Sequence, residues 1–361
     1  TENNSLILTA NDVTLSGSIN SGTSSTTITV SDGGTIGLGG TTGNMTITDT
    51  ELGKITAGTL NIGNSSTGNM TVDGITAANS NNVTTVNLTS GSASSVSFAN
   101  NNSIFNALTT NGGSANFGSG LTVTTDTGKL TLDSTSITSA GALTLAGATG
   151  INFGSGVTFA AGGALSMSTT SGGITGAGAF TLTSTGDISL TEDFTTAGAT
   201  IITADSDGNG AGDFSISTSK IVSTENNSLI LTANDVTLSG SISSGTGSTT
   251  IATSDSGTTG LGGTVGNMTI TDTELGNITA GTLNIGSSST GNITVDGITA
   301  GNSNNIGSVN LTTASASSVS FSNNASTFKG LIVSAGNGIN QSIDLTTSST
   351  TTFDADSNDD G

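Results

Sequence analysis

LTLAGATGINFGSGVTF (143–159) sets apolar side chains in short alternating pairs: Leu143/Leu145, Ile151/Phe153 and Val157/Phe159. Gly, Ala, Asn, Ser and Thr separate the pairs. An alternation of this kind, cut every few residues by turn formers, reads as three short strands and three turns. The first pair recurs as Leu121/Val123, Leu143/Leu145, Leu165/Met167 and Ile188/Leu190, at spacings of 22, 22 and 23 residues. A second series runs through Leu130/Leu132, Ile151/Phe153, Ile174 and Phe194. A third runs through Ile137, Val157/Phe159, Phe180/Leu182 and Ile201.

Three strands per coil of roughly 21–22 residues describe a parallel β-helix, in which each apolar position stacks on its equivalent one coil later. Stacking lets every backbone group pair with the coil above or below, which this Thr/Ser/Gly/Asn-rich chain could not arrange alone. At about 4.8 Å per coil the 361 residues are expected to make about 16–17 coils and a rod of roughly 80 Å. The chain has no Pro, which suits strands paired on both edges. No helix is expected, because Thr, Ser, Asn and Gly are poor helix formers.

A longer repeat overlies the short one. Residues 1–105 recur at 224–328, both beginning TENNSLILTANDVTLSGSI, and only 19 of the 105 aligned positions differ. Residues 106–223 are intervening coils, and 329–361 begin a further partial unit, with Ala355-Asp356-Ser357-Asn358 echoing Ala204-Asp205-Ser206-Asp207. All of 1–361 is expected to be one continuous solenoid, an interior piece of a longer precursor. The exchanges Val30→Thr253 and Ile36→Thr259 are the least mild, which places those sites at rung edges. Longer turns at 31–35 and 77–83 are expected to bulge from a corner, and Asn79-Ser80-Asn81-Asn82 to stack as an amide ladder.

Composition narrows function. Cys, His, Trp, Tyr and Arg are all absent, and 25 carboxylates face four lysines for a net charge of −21. That sign argues against nucleic acid and against an anionic membrane surface, and no apolar run reaches the ~20 residues of a membrane helix. Without His or Cys, a nucleophilic Ser or Thr has no ordinary base. A polysaccharide-active β-helix could work with carboxylates alone, but here they are scattered one or two per coil. The inventory points away from an enzyme and away from a required cofactor. Lys54, Lys129, Lys220 and Lys329 read as isolated surface charges.

The segment TDTELGKITAGTLNIG (48–63), repeated at 271–286 with Asn277 in place of Lys54, resembles a recurring unit of filamentous-haemagglutinin-like exoproteins and related autotransporter passengers. LTLAGATGINFGSGVTF (143–159) and FTLTSTGDISLT (180–191) are similar in style. The resemblance implies a right-handed β-helix, secreted to the cell surface, serving as an adhesive or structural rod. Its partners would be neighbouring copies or repeats of the same precursor, and a host or neighbouring-cell surface. A self-assembling extracellular fibre or sheath is the alternative.

One motif suits an ion. Asp205, Asp207 and Asn209, with Asp213 behind them, alternate oxygen ligands before Gly210 as the first half of a calcium loop does. The twelfth position is Ile216, so the bidentate carboxylate of such a loop is missing. Asp354, Asp356, Asn358 and Asp360 form a partial copy. A calcium-holding turn and a solvated acidic turn are both open readings.

Overall fold

Apart from four short helices, the computed structural model is built from stacked parallel strands, and it describes residues 2–359. The chain is an all-β parallel solenoid of about 16 turns. It divides into two compact units, Thr1–Gly178 and Ala179–Gly361.

In the first unit the three apolar series become three faces. Leu121 stacks on Leu143 and Leu143 on Leu165, while Val123, Leu145 and Met167 stack beside them. Leu130, Ile151 and Ile174 form the second ladder, and Ile137 and Phe159 belong to the third. Strands Leu108–Phe117 and Leu130–Ser139 each run through two of these faces. The ladder side chains are fully buried, as period-two alternation requires. Phe98 lies on Phe117 with ring centroids 5.0 Å apart and planes 8° from parallel, a stacking that register alone enforces.

The second unit repeats the scheme. Ile188–Leu190, Phe214–Ile216 and Val236–Leu238 stack on one face. Phe194–Thr196, Ile221–Ser223 and Ser241–Ser243 follow on another. Thr200–Thr203, Leu229–Ala233 and Ser248–Thr253 make the third.

The two long copies depart from the short period. The step from Leu6 to its partner Thr26 is 20 residues, but Thr26 pairs with Leu60 and Leu60 with Val86. The extra length of the 34-residue step holds a second parallel strand, Met45–Ile47, which pairs with Ile36–Gly39 only nine positions earlier. So short a parallel return needs bare backbone. Gly39 sits at φ +88°, and a Cβ on Gly37 would lie 2.5 Å from the Thr41 carbonyl oxygen. Gly260 and Gly262 meet the same demand in the second copy.

Helices do form, contrary to expectation, at Asp49–Leu52, Ala77–Ser80, Asp272–Gly276 and Ala300–Ser303. Local capping overrides weak propensity at the first and third. Thr48 Oγ1 accepts from Glu51 N–H while Glu51 Oε2 accepts from Thr48 N–H, a capping box repeated by Thr271 and Glu274. Residues 79–82 therefore do not form an amide ladder. Asn79 instead donates to Asp49 Oδ2 at 2.7 Å, and Asn82 to the Gly53 carbonyl. Stacked amides occur elsewhere, where Asn87 Nδ2 donates to Asn61 Oδ1 and Asn310 Nδ2 to Asn284 Oδ1.

Val30 and Ile36 do flank one corner at strand ends, but they are buried rather than peripheral, as are Thr253 and Thr259. Thr253 Oγ1 satisfies itself on the Asp255 carbonyl at 2.7 Å. Thr259 Oγ1 is buried without a partner. An unpaired buried hydroxyl costs about 1–3 kcal/mol. Restoring the first copy's residue with Thr259→Ile is expected to raise stability by about that amount, read as a higher urea midpoint.

Candidate functional site

Corners are where a solenoid leaves backbone N–H groups outside its ladders, and here Asp and Asn side chains capture them. In the first unit Thr46 N–H donates to Asp12 Oδ1 at 2.9 Å, Thr76 N–H to Asp49 Oδ1 at 3.0 Å and Asn101 N–H to Asp73 Oδ1 at 2.9 Å. Asn102 Oδ1 takes Thr122 N–H at 2.7 Å. In the second unit Asp187, Asp193, Asp213, Asp235, Asp272 and Asp296 accept from the N–H groups of Asp213, Ile221, Asp235, Thr269, Thr299 and Asn324. Each acceptor lies 20–34 residues before its donor, about one coil. Glu51 and Glu274 work in the opposite direction, accepting from Leu15 and Leu238 N–H.

Two lysines also serve this system rather than standing alone. Lys54 Nζ donates to the Leu15 carbonyl at 2.6 Å, and the substituted Asn277 donates to the equivalent Leu238 carbonyl at 2.7 Å. Lys220 pairs with Glu192 at 2.6 Å, and that contact lifts its pKa.

The proposed ion-binding set is split by these duties. Asp205, only 1% exposed and at φ +55°, folds back on its own loop. Its Oδ1 accepts from Asn209 N–H at 2.9 Å, and its Oδ2 from Gly210 N–H at 3.0 Å and Ser254 Oγ at 2.5 Å. The Ser254 bond reaches a residue 49 positions away. Asp207 accepts from Asn209 Nδ2 at 2.9 Å, so three of the four residues share one loop. Asp213 points to a different task, taking Asn234 Nδ2 and Asp235 N–H. In the partial copy, Asp354 accepts from Asp356 N–H at 3.3 Å, and Asp354 and Asn358 line a shallow groove of about 490 Å³ with Ser334 and Thr312. Asp360 lies outside the described residues. Among the described residues no group of three or more His, Cys, Asp or Glu is placed to hold a metal ion.

Electrostatics sorts the acids into two kinds. Burial pushes Asp205 up, but Ser254 and the two backbone donors outweigh it and leave the pKa lowered. Asp296 is lowered chiefly by Asn323 and Asn324, and Glu51 by Thr48 and Leu15 against its own burial. Asp235 is raised, first by burial and then by repulsion from Asp213 and Glu274. Sequence reading found these acids but not their purpose. The available signal was their spacing, about one per coil beside a turn.

The chain matches no family model, no curated protein and no solved structure in the comparisons.

Two outcomes follow from the acids. Asp205, Asp296 and Glu51, with lowered folded pKa values, contribute stability above the usual carboxylate range near ~4 and lose it as pH falls through their depressed values. Asp235 has the opposite sign, contributing most when protonated and least once pH has risen through its raised value. Thermal melting followed from pH 7 to pH 2 is therefore expected to hold to about pH 4 and then fall. At pH 7, Asp205→Asn, which removes one of two working acceptors, is expected to cost about 1–3 kcal/mol. Asp235→Asn keeps the single oxygen that works and sheds a repelled charge, so its melting temperature is expected to stay level or rise.

Proposed function

We propose that this chain is a stalk segment of a large secreted surface adhesin, an extracellular structural rod that supports attachment or cell–cell contact. One observation carries the reading: the groups with chemical potential are engaged in joining coils. Aspartates that might have formed a catalytic or metal-binding cluster are distributed along the corners, each accepting backbone N–H groups. What faces solvent is largely Ser, Thr and Asn, and the interior is a continuous set of aliphatic and Phe ladders within each unit. The resemblance of 48–63 and 271–286 to filamentous-haemagglutinin-like exoproteins supports the same assignment, including an extracellular location. It also supports association with further repeats of the precursor and with a neighbouring surface.

Duplication fits a scaffold. Both copies keep the same capping box, the same parallel return and the same three corner aspartates, Asp12, Asp49 and Asp73 in one and Asp235, Asp272 and Asp296 in the other, through 19 substitutions. A second reading is a subunit of a self-assembling extracellular fibre or sheath, in which the parallel coil-to-coil pairing seen within each unit would continue between subunits.

Electron microscopy of the purified natural assembly separates the two. Thin single rods ending in a distinct domain are expected for the stalk, whereas long uniform filaments with a regular axial repeat would replace it with the fibre. A chelator is expected to leave either form intact, because the Asp205 oxygens already have protein donors. Disassembly in chelator, reversed by calcium, would make the 205–213 loop a metal-dependent joint.

A further inference from the structure

In the second unit three isoleucines point away from the core, and all three stand in one column of one sheet. The sheet runs through Phe180–Ser184, Thr200–Thr203, Leu229–Ala233, Ser248–Thr253, Ile278–Gly286, Ile306–Thr312 and Leu331–Ser334, each paired in parallel with the next. From its second strand the outward column reads Ile201, Ile230, Thr250, Asn284, Asn310 and Ile332. Ile201, Ile230 and Ile332 are 38%, 41% and 36% exposed. An isoleucine left in water forgoes the gain of burial, and the Thr found at neighbouring outward positions would serve a strand as well.

Charge sets this face apart from the corners. The chain carries a net charge of −21, yet none of the seven strands holds a charged residue. Asp205, Glu225 and Asp235 stand in the turns beyond the strand ends. Two such faces can meet without setting carboxylate against carboxylate, which a corner-to-corner contact would do at a cost. The column is also ordered before any contact is made. Asn310 Nδ2 donates to Asn284 Oδ1 at 2.9 Å, and Asn284 Nδ2 to Thr250 Oγ1 at 3.2 Å. The β-branched Ile and Thr side chains are stiff at χ1, so little rotamer freedom remains to be lost.

We propose that this face is a lateral docking surface, and that its occupant is the same face of a second copy of the chain. Sheets that pack face to face lie about 10 Å apart. A two-fold axis between Thr250 and Asn284 runs the two columns antiparallel. It sets Ile201 against the partner's Ile332 and Thr250 against the partner's Asn284, apolar on apolar and polar on polar. Seven strands about five residues wide cover roughly 16 Å by 34 Å. The pair therefore buries about 1,100 Å², at the lower bound of a specific interface, and the dimer is weak and concentration-dependent. The inference does not rest on the stalk reading, because a stalk segment and a fibre subunit would present the same face.

Sedimentation of the full chain from about 1 μM to about 1 mM is expected to show a reversible monomer–dimer equilibrium. Ile230→Glu brings a like-signed, desolvated charge into the contact and is expected to weaken the dimer tenfold or more. Its melting temperature is expected to hold, since the replaced side chain points outward. The chain has no cysteine, so a single introduced thiol reports contact independently of that variant. Thr250→Cys, beside the axis, is expected to give dimers with a short bismaleimide. Thr237→Cys, exposed on strand Val236–Leu238 of another face, is expected to give few. A chain that stays monomeric to about 1 mM would overturn the proposal. So would a dimer, or a larger assembly, that Ile230→Glu leaves unchanged, or equal cross-linking from Thr237→Cys.

Discussion

Backbone satisfaction across coils is the constraint on which the rest depends. A parallel ladder pairs N–H and C=O groups along each face, but a turn interrupts it, and the donor exposed there needs an acceptor. In this chain the acceptor is usually a side-chain oxygen from the preceding coil. Asp12, Asp49, Asp73, Asp213, Asp235 and Asp296 each hold a corner N–H of the next coil. An Asp at a corner joins two coils through a charge-assisted bond, roughly twice as strong as a neutral one. A fold with only 11 Phe and no larger aromatic thus gains from its edges part of what a thick core would otherwise provide.

The same arrangement explains the negative charge. Carboxylates are acceptors only, so they suit a site whose partners are all N–H groups. Where one oxygen suffices, Asn serves equally, as Asn69, Asn102, Asn226 and Asn292 do. Charge accumulates along the corners, and neighbouring acids in one column repel. Asp235, whose pKa is raised first by burial, is raised further by repulsion from Asp213 and Glu274. Asp205 offsets its burial with three donors, the N–H groups of Asn209 and Gly210 and the hydroxyl of Ser254, and its pKa is lowered.

What the sequence disclosed and what it hid divide along range of interaction. The ladders of 121–203 were legible because alternation and a near-constant spacing encode them directly, and Leu121, Leu143 and Leu165 stack as read. Ile201 of the third series, however, faces outward at 38% exposure, while Ile202 takes the buried place beside Leu182. The helices at 49–52 and 272–276 were hidden because residue propensity opposes them and the capping box of Thr48 and Glu51 decides. The strand at Met45–Ile47 was hidden because a parallel return of nine positions contradicts the usual length of a crossover, and only Gly37 and Gly39 permit it. The acids of the 205–213 loop looked like one ligand set because they are adjacent in sequence. In space Asp205 faces its own loop and Ser254, while Asp213 faces the next coil.

Substitutions between the two long copies test the idea that roles rather than residues are kept. Lys54 and Asn277 share almost nothing in charge or length, yet both donate to the same carbonyl, that of Leu15 or Leu238. Val30 and Thr253 differ in polarity, and the new hydroxyl finds the Asp255 carbonyl. Thr259 breaks the pattern by burying a hydroxyl without a partner. Asn102→Ala325 breaks it by deleting an acceptor outright, because Ala325 has no oxygen to replace the one that holds Thr122 N–H.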